Sequence, residues 1–212
     1  AQFGQAVSVS ADGNTLAVGA SYGSNVSFLH GYAYIFTRTG TTWTEQKVLS
    51  ASNASDEDRF GESIALSADG KYVVVGAPRV NTSAGAAYVY TGASWTQKSI
   101  LTASNAGTND MFGSAVAING DGKTIAIGAP SEASNATGVG GNGADNSANG
   151  AGAAYVFFRD TTTWAQQAYI KASNTEAFDS FGVSVALSAN GNTLAVGAPF
   201  EASNAKGVGG SQ

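Results

Sequence analysis

Short runs in which apolar residues alternate with small or polar ones recur along the chain. Ser63-Ile64-Ala65-Leu66-Ser67 is representative, and period-2 alternation is the signature of a strand. The runs lead into Ala11-Asp12-Gly13, Ala68-Asp69-Gly70, Gly120-Asp121-Gly122 and Ala189-Asn190-Gly191. There Asp or Asn and then Gly supply the positive φ of a tight hairpin. The run beyond the turn, as in Thr124-Ile125-Ala126-Ile127-Gly128, is apolar on both faces, as expected where a sheet is covered on both sides. Small Ala and Gly at matched positions of these runs point to a crowded place, such as the narrow centre of a ring.

The runs belong to a repeat. Phe-Gly occurs at Phe3-Gly4, Phe60-Gly61, Phe112-Gly113 and Phe181-Gly182, and a second landmark follows each at nearly fixed distance. That landmark reads Gly19-Ala20-Ser21, Gly76-Ala77-Pro78, Gly128-Ala129-Pro130 and Gly197-Ala198-Pro199. Each full unit continues with Gly-x-Ala-Tyr and apolar residues (Gly31 to Phe36, Gly85 to Tyr90, Gly152 to Phe157), then with Trp43, Trp95 or Trp164. Four strand-like runs per unit of roughly 50 residues match a propeller blade, which buries both sheet faces against its neighbours. A solenoid of stacked hairpins satisfies the same period. The expected fold is all-β, a β-propeller of four-stranded antiparallel blades, three complete and one half. The blades fall at about 3–59, 60–111, 112–180 and 181–212 of a single partial propeller.

With the two landmarks in this register, the whole chain resembles the FG-GAP repeat family, whose best-known members form the seven-bladed propeller of integrin α subunits. Links such as Lys171-Ala172-Ser173-Asn174 make it similar to the long arrays of bacterial surface and secreted proteins. The resemblance implies an extracellular scaffold for binding or adhesion, often with calcium between the first two strands of a blade, in a loop written Asp-x-Asp-x-Asp-Gly-x-x-Asp. This chain departs from that pattern. Its nearest approach, Asn119-Gly120-Asp121-Gly122, runs on into Lys123-Thr124, and one or two oxygens do not satisfy an ion that takes six to eight. Asn119 and Asp121 are therefore weak metal candidates, and no cofactor is expected.

Composition narrows the partners. The formal net charge is −5 and charged residues make up 12% of the chain, against about 25% in typical domains. The Lys and Arg residues form no stripe, which argues against a nucleic-acid partner. No apolar segment is long enough to insert in a membrane as a helix, and without cysteine neither a disulfide nor a thiolate site is possible. Protein or glycan ligands at a cell surface, neighbouring copies, or the remaining blades of a longer chain are the expected partners.

Candidate binding residues are few. Asp58, Asp110 and Asp179 each stand two residues before a Phe-Gly pair. They form either a carboxylate ring at one rim or a set of turns closed by Asp accepting backbone N–H groups. The insert from Ser131 to Gly150 carries Asn142, Asp145 and Asn146, and binding residues gather on such loops. Its Gly-rich composition equally suits a floppy excursion, the favoured reading. Its start recurs at Glu201 to Gly210. Trp43, Trp95 and Trp164 are either sugar platforms or, more simply, outer-strand packing residues. His30, the one histidine, lacks the second His, Cys or paired carboxylate that a metal site or a catalytic triad requires.

The fourth unit has no third or fourth strand before Gln212, and three and a half blades do not close a ring. A segment of a longer polypeptide is expected, with two copies completing a seven-bladed ring as the alternative. The function expected is a non-catalytic adhesion or assembly module. Its rivals are an accessory, carbohydrate-binding domain of a secreted enzyme and a structural subunit of a surface fibre.

Overall fold

A computed structural model describes residues 2–23 and 30–203. Three four-stranded antiparallel sheets follow one another, each in simple meander order. Blade one holds β1 (Phe3–Val9), β2 (Thr15–Ala20), β3 (Tyr32–Thr39) and β4 (Thr42–Leu49). Blade two holds β5 (Ser63–Leu66), β6 (Tyr72–Ala77), β7 (Ala86–Thr91) and β8 (Thr96–Leu101). Blade three holds β9 (Ala115–Ile118), β10 (Thr124–Ala129), β11 (Ala153–Arg159) and β12 (Trp164–Ile170), and β13 (Ser184–Leu187) pairs with β14 (Leu194–Gly197) as a two-stranded sheet. The repeat of Glu201 to Gly210 lies outside the described residues from 204 onward.

The first strands face one another: β1 lies against β5, β5 against β9 and β9 against β13. The fold is thus a run of propeller blades, as the repeat predicts. Blade two shows why its strands are apolar on both faces. Val73 and Val75 enter a core shared with Ala17, Ile35 and Leu49 of blade one, while Val74 enters a second core with Ile125 and Ile127 of blade three. A lone blade would leave both of these faces in water, at ~25 cal/mol for every Å² of apolar surface.

Both landmarks lie at the seam between blades. Phe60 and Phe112 are fully buried, each edge-on to two aromatics of its own third strand, Tyr88 and Tyr90 or Tyr155 and Phe157. Across the seam, a methyl group on Gly19, Gly76 or Gly128 would fall on the carbonyl of Gly61, Gly113 or Gly182 in the following blade. The crowding read from the sequence is this contact between neighbouring backbones.

The Asp-Gly hairpins close as expected. Ser67 Oγ donates to Asp69 Oδ1 at 2.7 Å and accepts the Tyr72 N–H at 3.0 Å, and Ser10 repeats this with Asp12 and Thr15. Adjacent hairpins also tie to each other, Ala11 N–H to Ala68 O and Gly120 N–H to Ala189 O, both at 2.9 Å.

The rim turns, the insert and the candidate site

The three rim aspartates occupy one recurring turn. Asp58, Asp110 and Asp179 are each flanked by two residues of positive φ: Glu57 and Arg59, Asn109 and Met111, Phe178 and Ser180. None of those six is glycine, so each turn holds a backbone conformation that L-residues seldom adopt. The aspartate closes it: Oδ2 accepts the N–H of Ser55, Gly107 or Glu176 at 2.6, 2.6 and 2.9 Å. All three are nearly fully buried. Burial holds the carboxyls of Asp58 and Asp110 above the usual value, against the pull of these hydrogen bonds. The geometry is that of the turn reading, and it leaves the three carboxylates facing backbone amides of their own turns.

Asn119 and Asp121 also serve a hairpin. Asn119 Oδ1 accepts the N–H groups of Lys123 and Thr124, both at 2.9 Å, and Asp121 Oδ1 accepts Lys123 N–H at 3.0 Å. Among the described residues, no three of His, Asp and Glu gather where they could hold a metal ion. His30 packs edge-on to Tyr32 with ring centroids 4.9 Å apart, and its carbonyl accepts the Phe60 N–H.

The insert of blade three differs from the floppy loop favoured by its composition. Lys171 and Glu132 form an ion pair at 2.7 Å, with side chains 0% and 1% exposed. The second Glu132 oxygen accepts Asn105 Nδ2 and Tyr169 Oη, both at 3.0 Å, and Ser134 shares a 2.6 Å hydrogen bond with Tyr169. Burial lowers the Lys171 ammonium below the ordinary lysine value, and Glu132 opposes this. Val139 bridges Ile170, and Lys171 N–H donates to Gly138 O at 2.8 Å, so the insert adds a short pairing to the outer edge of the blade. Its glycines supply the turns, and the buried charge pair holds them.

On this anchored loop Asn142 Oδ1 accepts Ala144 N–H and Asp145 Oδ1 accepts Ser147 N–H. Both hydrogen bonds from Ser147 keep the Asp145 carboxyl below its usual value. Asn142 and Asn146 are exposed. The six residues singled out from the sequence are therefore not one cluster: three are buried at blade boundaries and three belong to this loop.

The tryptophans diverge. Trp95 is buried in the turn before β8 with φ 51, Trp164 is half-buried at the start of β12, and Trp43 is 42% exposed beneath the Arg38 guanidinium. Packing is thus their common role only in blades two and three. Two glutamines on the outer strands do what the sequence did not suggest. Gln97 clasps Ser52 and Gln166 clasps Ser104, each accepting the serine N–H at 3.0 Å and donating to its hydroxyl. The Ala-Ser-Asn links were visible, but nothing local pairs a link with a strand 45 or 62 residues away.

The FG-GAP repeat family matches residues 43–90, 95–157 and 164–212, well over half of the sequence. The chain belongs to the FG-GAP repeat family. Each match opens on Trp43, Trp95 or Trp164, at or beside the outermost strand of a blade; the first two run on into the third strand of the next blade, and the last takes in β13 and β14. The FG-GAP repeat is thus out of phase with the sheet, so each repeat staples two blades together. No curated protein matches the chain. Among the described residues, no helix is long and apolar enough to cross a membrane.

Proposed function

We propose that this FG-GAP chain is a non-catalytic extracellular binding module that presents ligand-contacting residues on its rim loops, Asn142, Asp145 and Asn146 foremost. One observation carries the reading. At equivalent positions the blades share turns, landmarks and seams that the architecture consumes, whereas the 131–150 loop is peculiar to blade three among the full blades and is fixed by a buried ion pair. Fixing a loop before binding removes an ordering cost that binding otherwise bears. The test is a glycan array with a pull-down from cell-surface fractions, using the chain and its Asn142→Ala/Asp145→Ala/Asn146→Ala variant. Signal lost in the variant supports the module; blank results for the wild type at high concentration sink it.

A second observation favours assembly alongside binding. Phe3, Val7 and Val9 on β1 are 58%, 63% and 57% exposed, yet Phe60, Ile64 and Leu66, at the same places in blade two, are 0%, 8% and 7% exposed beneath blade one. The open face of β1 has the residues of a covered seam, and a further blade of this repeat type fits it. Replacing Val7 and Val9 by Ser abolishes that association in sedimentation if the reading holds and leaves it intact if not.

A further inference from the structure

Between blades two and three, on the side of the outer hairpins, lies a groove of about 330 Å³. That is within the ~300–1,000 Å³ range of small-molecule sites. Tyr72 and Trp164 give it aromatic walls, Thr91 and Thr162 hydroxyls, and Lys98 and Arg159 cations. Arg159 is already in place: its guanidinium carbon lies 4.7 Å from the Tyr72 ring centre and 5.6 Å from that of Trp164. Nη1 donates to Thr161 O at 3.0 Å and Nη2 to Gly122 O at 3.4 Å, while Nε is buried without a partner. A guanidinium has five N–H donors, so with two spent on the main chain and Nε buried, one on each of Nη1 and Nη2 remains for a ligand.

Among the described residues neither cation is matched by a carboxylate. The ion pairs among the described residues are Arg59–Glu62, Lys71–Asp69 and Lys171–Glu132. In a chain of net charge −5, two uncompensated cations on one aromatic groove mark a place for an anion. The neighbouring groove between blades one and two supplies the contrast. It is of similar build, about 430 Å³, with Thr37, Gln46, Lys71 and Trp95 in its lining. There Lys71 is held by Asp69 at 3.2 Å. Gln46 sits at the register shift of β3 with β4, where Lys98 sits at that of β7 with β8. The same structural position is neutral in one groove and cationic in the other.

We infer that the groove between blades two and three binds an acidic oligosaccharide, a chain of carboxylated hexose rings. This rests on the binding-module reading and adds to it a second site, apart from the 131–150 loop, with its own ligand class. An aromatic wall suits the C–H face of a sugar ring, Thr91 and Thr162 suit its hydroxyls, and a guanidinium fork pairs with a carboxylate in two parallel hydrogen bonds. A bare anion needs only the cations, and an acidic peptide leaves the hydroxyls unmatched.

The test is calorimetric titration of the full chain with a galacturonic acid trisaccharide. A neutral galactose trisaccharide, inorganic sulfate and a glutamate tripeptide serve as comparisons. The acidic sugar binds at least tenfold more tightly than the other three, and more weakly as salt rises. Lys98→Gln, which installs the residue of the neighbouring groove at an exposed site, weakens binding about tenfold, as does Arg159→Lys. Lys71→Gln leaves it unchanged. Equal binding of the neutral sugar, sulfate or the peptide overturns the proposal, as does indifference to Lys98→Gln or no binding of the acidic sugar. If the array and pull-down still give a signal that depends on Asn142, Asp145 and Asn146, only the groove has failed; if those are blank too, the module reading has failed with it.

Discussion

Blades two and three make the same connection, from second strand to third, in opposite styles. Blade two uses a tight turn over Val80–Ser83, in which Asn81, Thr82 and Ser83 all have positive φ. Blade three takes the long way round from Ser131 to Gly150, with positive φ confined to Gly138, Gly140 and Gly150. Yet both end alike. The carbonyls of Thr82, Ser83 and Ala84 accept the N–H groups of Asn109, Met111 and Phe112, and those of Asn149, Gly150 and Ala151 accept Phe178, Ser180 and Phe181. The last residues of the connection are dictated by the next blade, and only the middle is free to grow. Val80, packed on the first core, stands where blade three has Glu132, so the long form has exchanged an apolar anchor for a buried ion pair.

If the shared ending is what the ring requires, damage there costs the same whatever the loop length. An alanine Cβ at Gly85 or Gly152, each at positive φ, falls on the carbonyl of Phe112 or Phe181. Backbone strain and overlap together amount to about 4 kcal/mol in either blade. Urea unfolding of Gly85→Ala and Gly152→Ala measures this, and a penalty in one blade alone breaks the equivalence. Damage to the anchors separates the blades. Glu132→Ala leaves Lys171 buried and unpaired, which costs about 3 kcal/mol, whereas Val80→Ala removes only part of a half-buried side chain and costs about 1 kcal/mol. Equal melting shifts for the two show that the ion pair anchors nothing.

What could be read from the sequence follows the range of the interaction. Asp69-Gly70 and its counterparts announce hairpins because the turn chemistry lies within three residues. Phe-Gly and Gly-Ala-Pro announce blades because a seam that recurs leaves a recurring trace. Glu132 and Lys171 meet across 39 residues and only once among the full blades, so neither locality nor repetition betrays them. The available hint was weak: Glu132 recurs as Glu201 in a Glu-Ala-Ser-Asn context, and Asn174 Nδ2 donates to Glu201 at 2.9 Å just as Asn105 does to Glu132. The rim turns were half visible. Asp58, Asp110 and Asp179 stood out, but their strained neighbours Arg59, Met111 and Phe178 are not turn-forming types, and the last residues of the previous blade's connection hold Met111 and Phe178 through the main chain.

A smaller effect tests the strain in the short connection. Thr82 is β-branched at φ 56, so Thr82→Gly relieves about 1 kcal/mol and raises the melting temperature. Its carbonyl still receives the Asn109 N–H, because that bond is made by the main chain. In blade three a change in the opposite sense one residue on, at the counterpart of Ser83, is Gly150→Ala at φ 66, costing a similar amount. A neutral Thr82→Gly says that the turn is unstrained and that the long loop is no easier to accommodate than the short one.

The subtlest difference between the two boundaries is a response to pH. Burial raises the carboxyls of Asp58 and Asp110 above their unfolded value of 3.8. For such an acid the contribution to stability is full below the unfolded value and is lost as the pH rises through the folded one. Asp58→Asn and Asp110→Asn do not titrate, so each variant gains on wild type between a pH below 3.8 and neutrality. The environments then part: Glu132 pushes Asp110 up and Lys171 pulls it down, while Asp58 feels His30 and Asp56. In a Glu132→Gln background the upward push disappears and Lys171 remains, so the pH-dependent gain from Asp110→Asn shrinks while that from Asp58→Asn does not change. Thermal melts of the four combinations at the two pH values decide it, and an equal shrinkage at both aspartates uncouples the insert's ion pair from the rim turn beside it.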